Sequence, residues 1–261
     1  MAHVDLYDET ANIYDVFELS GQSTTPITNT LIVNLLRRAE VRRVLDMTCG
    51  TGAQTIGLFK AGFEVIGSDL SRGMLDIARQ KSEGCSISYF EADMRTVSLG
   101  KFDAIISMYN AVGHLTKDDF RATMKNTYQN LGDGGVYIFD IFNSAMMHLT
   151  PDYEFIDAVR EVGDAKYVRF SRSAYDGGTG LLNIRQRMLT QRGREKPREV
   201  PDDYTLQTYN ADELQEMLEQ AGFVDVQITG EGMLDVFRMP NLVHFVSARK
   251  PPVGAAAALA A

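Results

Sequence analysis

Val44-Leu45-Asp46-Met47-Thr48-Cys49-Gly50-Thr51-Gly52 reads as a buried strand that runs into a glycine loop and then into a helix. Glycine at 50 and 52 lets a ligand approach the backbone closely, because no Cβ stands in the way. Two further acids follow at strand ends. Asp69 closes the apolar run Phe63-Glu64-Val65-Ile66-Gly67-Ser68-Asp69, and Asp93 stands in Glu91-Ala92-Asp93-Met94. An acid at the end of the next strand sits where a ribose diol presents two hydroxyl donors. The third acid narrows the reading. A plain dinucleotide fold does not need it, whereas a site that reads the amino group of an adenine does.

This ordered set resembles class I S-adenosylmethionine-dependent methyltransferases. The pattern here is Asp46-x-Thr48-x-Gly50-x-Gly52, with threonine where the family most often has glycine; a hydroxyl side chain is still small. The resemblance implies S-adenosyl-L-methionine as cofactor, S-adenosyl-L-homocysteine as product and no metal. It implies that Asp46 and the loop at Thr48, Gly50 and Gly52 hold the methionine moiety, and that Asp69 binds the ribose hydroxyls. Leu70 and Met74 then pack near the adenine, Asp93 accepts from its exocyclic amine, Met94 offers a backbone donor, and Met108 completes the cofactor set. A nicotinamide fold fits less well, because counting Gly50 and Gly52 as the first two glycines of G-x-G-x-x-G puts Thr55 at the third.

Acceptor chemistry belongs to the N-terminal segment and to the end of the fourth strand. At Tyr7-Asp8-x-x-Ala11-x-x-Tyr14-Asp15 the chain resembles small-molecule N-methyltransferases, including those that make sarcosine, dimethylated amino sugars and methylated azapteridines of the toxoflavin type, the last being the nearest match. In that branch the first helix is a lid, which places Tyr14 at the cofactor and Tyr7 at the reaction. Tyr7 and Tyr14 are two helical turns apart and share one face. After the fourth strand come Ser107-Met108-Tyr109-Asn110-Ala111-Val112-Gly113-His114, without the Asn/Asp-Pro-Pro-aromatic run of enzymes that methylate base amines. Tyr7 and His114 are the catalytic candidates, with Tyr109 joining them at the acceptor. Rings at Tyr7, Tyr14, Tyr109, Phe155, Tyr167, Phe170 and Tyr175 suit a flat heteroaromatic acceptor. Amino sugars or amino acids are the alternative acceptors, and a catalytically silent S-adenosylmethionine-binding protein is the alternative role.

Composition bounds the partners. A net charge of −9 and a pI near 5.0 argue against a nucleic-acid substrate, because phosphate binding is driven by lysine and arginine. The basic stretch Arg185 to Arg198 reads as a solvated hairpin face. Two cysteines, Cys49 and Cys85, make no disulfide framework and point to a reducing, cytoplasmic setting. Met1 to Asp15 shows no signal-peptide pattern, and no apolar run is long enough for a bilayer. A small-molecule acceptor, no nucleic acid, no membrane, and a monomer or homodimer are the expectations.

Periodicity then gives the architecture. Residues 1–41 read as a helical lid, 42–154 and 210–250 as the cofactor-binding core, 155–209 as an antiparallel insert, and 251–261 as a frayed tail. Within the core, strands at 41–47, 64–69, 86–90, 102–108 and 136–141 alternate with helices at 51–61, 71–81 and 117–131, and the chain ends on strands at 223–229 and 243–248. Such alternation predicts an α/β fold, a doubly wound, mostly parallel seven-stranded Rossmann-like sheet, with the antiparallel β insert over the active site.

Overall fold

Strand β1 (Arg43–Asp46) is the centre from which the chain winds outward and back. The computed structural model describes residues 2–18, 25–230 and 241–252, so most of the predicted tail, 253–261, lies outside the described residues. From β1 the chain passes through β2 (Glu64–Asp69) to β3 (Ser88–Glu91), then returns to β4 (Phe102–Ser107) and β5 (Leu131–Phe142) on the other side. The final strands, β10 (Val224–Thr229) and β11 (Val243–Arg249), extend that edge, giving the order β10-β11-β5-β4-β1-β2-β3. All pairings from β5 to β3 are parallel, and β11 is antiparallel to both its neighbours. The reversal of winding between β1 and β4 opens a crevice at the strands' carboxyl ends, which is where ligands of such sheets bind.

Alternation along each strand decides which helix covers it. Leu45, Ile105, Tyr137 and Phe139 face α5 (Lys117–Asn130) and α6 (Ala211–Gln220), packing on Phe120, Met124, Leu214 and Leu218. Val44, Ala104, Ile106 and Ile138 face α2 (Thr25–Arg38) and α3 (Ala53–Lys60), packing on Ile32, Leu36 and Leu58. Side-chain caps form at helix starts: the Ser71 side chain accepts from Met74 N–H at the start of α4 (Arg72–Lys81), and the Asn210 side chain accepts from Glu213 N–H at the start of α6.

Among the boundaries that shift from the sequence reading, two have a clear local cause. Helix α3 starts at Ala53 rather than 51, because Gly52 is left-handed with φ 85°. Strand β5 starts at Leu131 rather than 136, because Gly132-Asp133-Gly134-Gly135 forms a bulge inside the strand: Phe102 pairs with Leu131 and Ala104 with Val136.

The insert is a four-stranded antiparallel meander, β6 (Phe155–Val162), β7 (Ala165–Asp176), β8 (Leu181–Arg192) and β9 (Arg198–Gln207). Leu182 and Leu206 bind it to the core through Met147, Leu242 and Val243. Helix α1 (Ala2–Glu18) is held from both sides. Phe17 packs into Ala158, Tyr167 and Met188 of the insert. On its other flank, Asp8 accepts from Ser71 Oγ at 2.5 Å and Gly73 N–H at 2.7 Å, and Asp15 accepts from Thr51 Oγ1 and Lys81 Nζ, both at 2.6 Å. The basic stretch of β8 is laced by ion pairs, Arg185 to Asp203 and Arg187 to Glu154 and Glu199.

Candidate active site

The carboxyl ends of β1 to β4, the first turn of α4 and the inner face of α1 enclose a cavity of about 780 Å³, within the usual range of small-ligand sites, about 300–1,000 Å³. Of the residues the sequence assigned to the cofactor, Tyr14, Thr48, Gly50, Asp69, Leu70, Met74, Asp93, Met94 and Met108 line it. Asp46 and Gly52 do not. Asp46, the last residue of β1, turns behind the loop to α3, where its Oδ2 accepts from Thr55 Oγ1 at 2.6 Å. Burial pushes its carboxyl up to about 7. It therefore braces the loop from beneath. Gly52 shapes the loop: a Cβ there would meet Ala78 and the Tyr89 hydroxyl at 3.1 and 3.2 Å.

Asp69 joins loop and strand. One oxygen accepts from Gly50 N–H at 2.8 Å and the other from Ser71 N–H at 2.9 Å. Burial raises its carboxyl above the usual range. Each carboxylate oxygen offers about two acceptor sites, so these bonds leave Asp69 with acceptor capacity to spare. Thr48 Oγ1 and Gln54 Nε2 are buried at this cavity without a partner among the described residues. Leu70 is an apolar side chain 47% exposed at the cavity wall. These unpartnered polar atoms at Thr48 and Gln54, the Asp69 carboxyl and the exposed Leu70 side chain are the kinds of group that a ligand with an amino acid, a diol and a base would use. No cluster of three metal-ligating side chains occurs among the described residues.

Asp93 has a partner the sequence reading missed. Arg95 Nε bonds both its oxygens at 3.0 Å, and Arg95 Nη1 continues to Asp119 at 2.9 Å. Those guanidinium bonds hold the Asp93 carboxyl below its ordinary range. Arg95 thus keeps Asp93 ionised and aimed. Asp93→Ala is expected to weaken S-adenosylhomocysteine binding about 10-fold, as loss of one charged hydrogen bond implies. Asp93→Asn, which retains an acceptor, should lose less. Wild-type affinity by calorimetry in both variants would reduce Asp93 to a surface partner of Arg95.

A second cavity of about 730 Å³ opens between the core and the insert, and it shares Tyr7, Tyr14, Tyr109, His114, Asp202 and Tyr204 with the first. The junction is an aromatic collar. Tyr7 and Tyr14 meet edge-on at 6.2 Å, Tyr7 Oη lies 3.3 Å from His114 Nε2, and the His114 and Tyr204 rings are 5.6 Å apart. Tyr109 is tied by its hydroxyl to Thr25 Oγ1. Of the four insert rings named from sequence, only Phe155 reaches this cavity. Tyr167 packs against Phe17 of α1, Tyr175 joins the insert–core cluster, and Phe170 lies beneath the Arg187 guanidinium. Tyr204 was missed, although strand alternation gives the signal, since it shares a face of β9 with the buried Leu206.

Comparison with known proteins places this geometry among relatives. Residues 44–135 match a family model described as a methyltransferase domain. The chain is 30% identical over 197 residues to "Putative methyltransferase YqeM" of Bacillus subtilis (strain 168), covering 74% of this chain and 77% of that one. It is 29% identical over 222 residues to dTDP-4-amino-2,3,4,6-tetradeoxy-D-glucose N,N-dimethyltransferase of Saccharopolyspora spinosa, covering 81% of this chain and 84% of that one. Among solved structures, Streptomyces venezuelae DesVI superposes with a TM-score of 0.78 at 23% identity, over 92% of this chain and 98% of that one.

Proposed function

We propose, from the premise that this chain belongs to the S-adenosylmethionine-dependent methyltransferases, that it methylates the amino nitrogen of a small ring-shaped acceptor, an amino sugar before a flat heteroaromatic. The second cavity carries this reading. Its wall holds Asp140, Asp157 and Asp202 beside Arg160 and Arg169. Arg169 takes up Asp157, and Asp140, which bonds to no cation among the described residues, suits a basic amine. A flat aromatic acceptor would be better served by more of the insert's rings; Phe155 and Tyr204 stand there, whereas Tyr167, Phe170 and Tyr175 do not. The Saccharopolyspora spinosa relative, by its name, acts on such a sugar. The collar of Tyr7, Tyr109 and Tyr204 supports the second reading, an azapteridine of the toxoflavin type.

The bound cofactor supplies an activated methyl group, so the protein's work is positioning. Holding two reactants at attack distance is worth about 7–11 kcal/mol. Residues 2–18 act as a lid that excludes water. Tyr14 closes on the cofactor side, and Tyr7 with His114 orients the acceptor at the junction. Tyr7→Phe removes the hydroxyl that meets His114, so kcat should fall about 5-fold, the worth of one neutral hydrogen bond. Tyr7→Ala should lower it further, whereas Tyr14→Ala should mainly raise the cofactor Kd. Wild-type kinetics in all three would make the segment a structural flap.

The acceptor class is tested by competition. The protein receives S-adenosylmethionine with equal amounts of dTDP-4-amino-2,3,4,6-tetradeoxy-D-glucose and an azapteridine, and products are resolved by mass spectrometry. The N-methylated sugar is the expected product. Methylation of the azapteridine alone would reverse the order of the two readings.

A further inference from the structure

The second cavity contains a buried carboxyl that no cation among the described residues bonds. Asp140, near the end of β5, is 2% exposed and stands in the cavity wall. Alternation puts it on the face that carries Val136 and Ile138, where an apolar residue would pack. Its Oδ1 accepts from Asn110 N–H at 2.9 Å. That donor is presented because Tyr109 and Asn110 both hold left-handed backbone, φ 60° and 55°, which is costly for a tyrosine. Asn110 Oδ1 accepts in turn from Phe142 N–H at 3.0 Å. The loop that carries Tyr109 and His114 is therefore clasped onto the end of β5, directly at Asp140.

No lysine, arginine or histidine bonds to Asp140 among the described residues. Arg169, in the same wall, is occupied by Asp157, both of whose oxygens lie 3.0 Å from Nε, and it stacks on Phe17. Burial pushes the Asp140 carboxyl up to about 7. A buried carboxyl without a cation is unfavourable and is found mainly where a ligand uses it. The left-handed pair that holds it belongs to the same class of strained, functional geometry.

We propose that Asp140 receives the acceptor's amino group, accepting a hydrogen bond from its N–H, turning its lone pair toward the methyl donor and taking the proton that the nitrogen loses. In that step the nitrogen lone pair forms the new N–C bond while the C–S bond breaks, its electron pair staying on sulfur. The N–H proton passes to the Asp140 carboxylate and from there to solvent. This assignment rests on the reading that the acceptor is an amine. It leaves Tyr7 and His114, at the collar, to orient the ring.

The test separates the two ideas. With the S-adenosylhomocysteine complex, cyclohexylamine should raise the melting temperature more than cyclohexanol does, and Asp140→Asn should abolish that difference. The asparagine keeps an acceptor for Asn110 N–H, so at pH 8 the variant should melt no lower than wild type and bind S-adenosylhomocysteine equally well. Its kcat/KM on the dTDP-amino sugar should drop about 100-fold, the usual scale for loss of a general base. Equal shifts by amine and alcohol in wild type, or an amine preference that survives Asp140→Asn, would overturn the assignment. Intact amine preference without turnover of the sugar would instead support Asp140 and refute the amino sugar as acceptor.

Discussion

Asp69→Ala is expected to weaken S-adenosylmethionine binding about 100-fold, the loss of two charged hydrogen bonds at roughly 1.5 kcal/mol each. The carboxylate spans the glycine loop and the start of α4 through Gly50 N–H and Ser71 N–H, so its free acceptor sites are fixed before the ribose arrives. Preorganisation of this kind lowers the ordering cost of binding. The melting temperature should change little, because two effects oppose. The substitution leaves two backbone donors unpaired, which destabilises, and removes a carboxyl that burial holds above its usual range, which stabilises. S-adenosylhomocysteine has the same ribose and should lose affinity in parallel. Wild-type affinity by calorimetry would remove Asp69 from the site.

Gly73→Ala is expected to release the lid. A Cβ at position 73 would lie 2.8 Å from both the Cα and the carbonyl oxygen of Asp8, a separation that backbone cannot accommodate without moving. Helix α1 must then shift off α4, breaking the bonds from Ser71 Oγ and Gly73 N–H to Asp8. Discounted for exposure to about 0.5–1 kcal/mol each, these correspond to about a 10-fold faster cofactor release. The core beneath α4 is untouched, so the melting temperature should stay near wild type. Lys81→Ala, which removes one bond to Asp15, should act in the same direction and less. With no tryptophan in the chain, tyrosine fluorescence in a stopped-flow experiment reports the release. An unchanged rate would mean that the lid does not gate the cofactor.

The repeat Tyr7-Asp8 and Tyr14-Asp15 acquires a physical meaning here. At each position the tyrosine lines the junction of the cavities, while the aspartate beside it ties the helix to the parallel-sheet core. Sequence reading identified the tyrosines and passed over the aspartates.

Much of the site was legible because its chemistry is local. The glycine loop and Asp69 each sit at the end of a strand marked by its own apolar run, and Asp93 lies just past the exposed edge strand β3, so their places followed from the winding of the sheet. Asp46 failed that logic. Whether the last residue of β1 points into the crevice or behind the loop depends on Thr55, a turn into the next helix, and motif spacing carries no such information. Arg95 was hidden because a surface arginine two residues from an acid has no distinctive pattern. Asp140 and Tyr204 come from segments far apart in sequence, which only the docking of the insert on the core brings to one cavity. Their alternation with buried neighbours did mark the faces they share. Gly132–Gly135 falls between the helix and strand read from sequence because glycine clusters signal turns and bulges alike, and pairing with β4 decides between them.

The central claim is that this chain moves a methyl group to an amine nitrogen. Nuclear magnetic resonance of the product formed from S-adenosylmethionine carrying a 13C-labelled methyl group and dTDP-4-amino-2,3,4,6-tetradeoxy-D-glucose tests it most directly. The account predicts one S-adenosylhomocysteine released per methyl transferred and a labelled methyl coupled to the sugar's amine-bearing carbon. A labelled methyl on oxygen or carbon, or S-adenosylhomocysteine released without any labelled sugar, would contradict it.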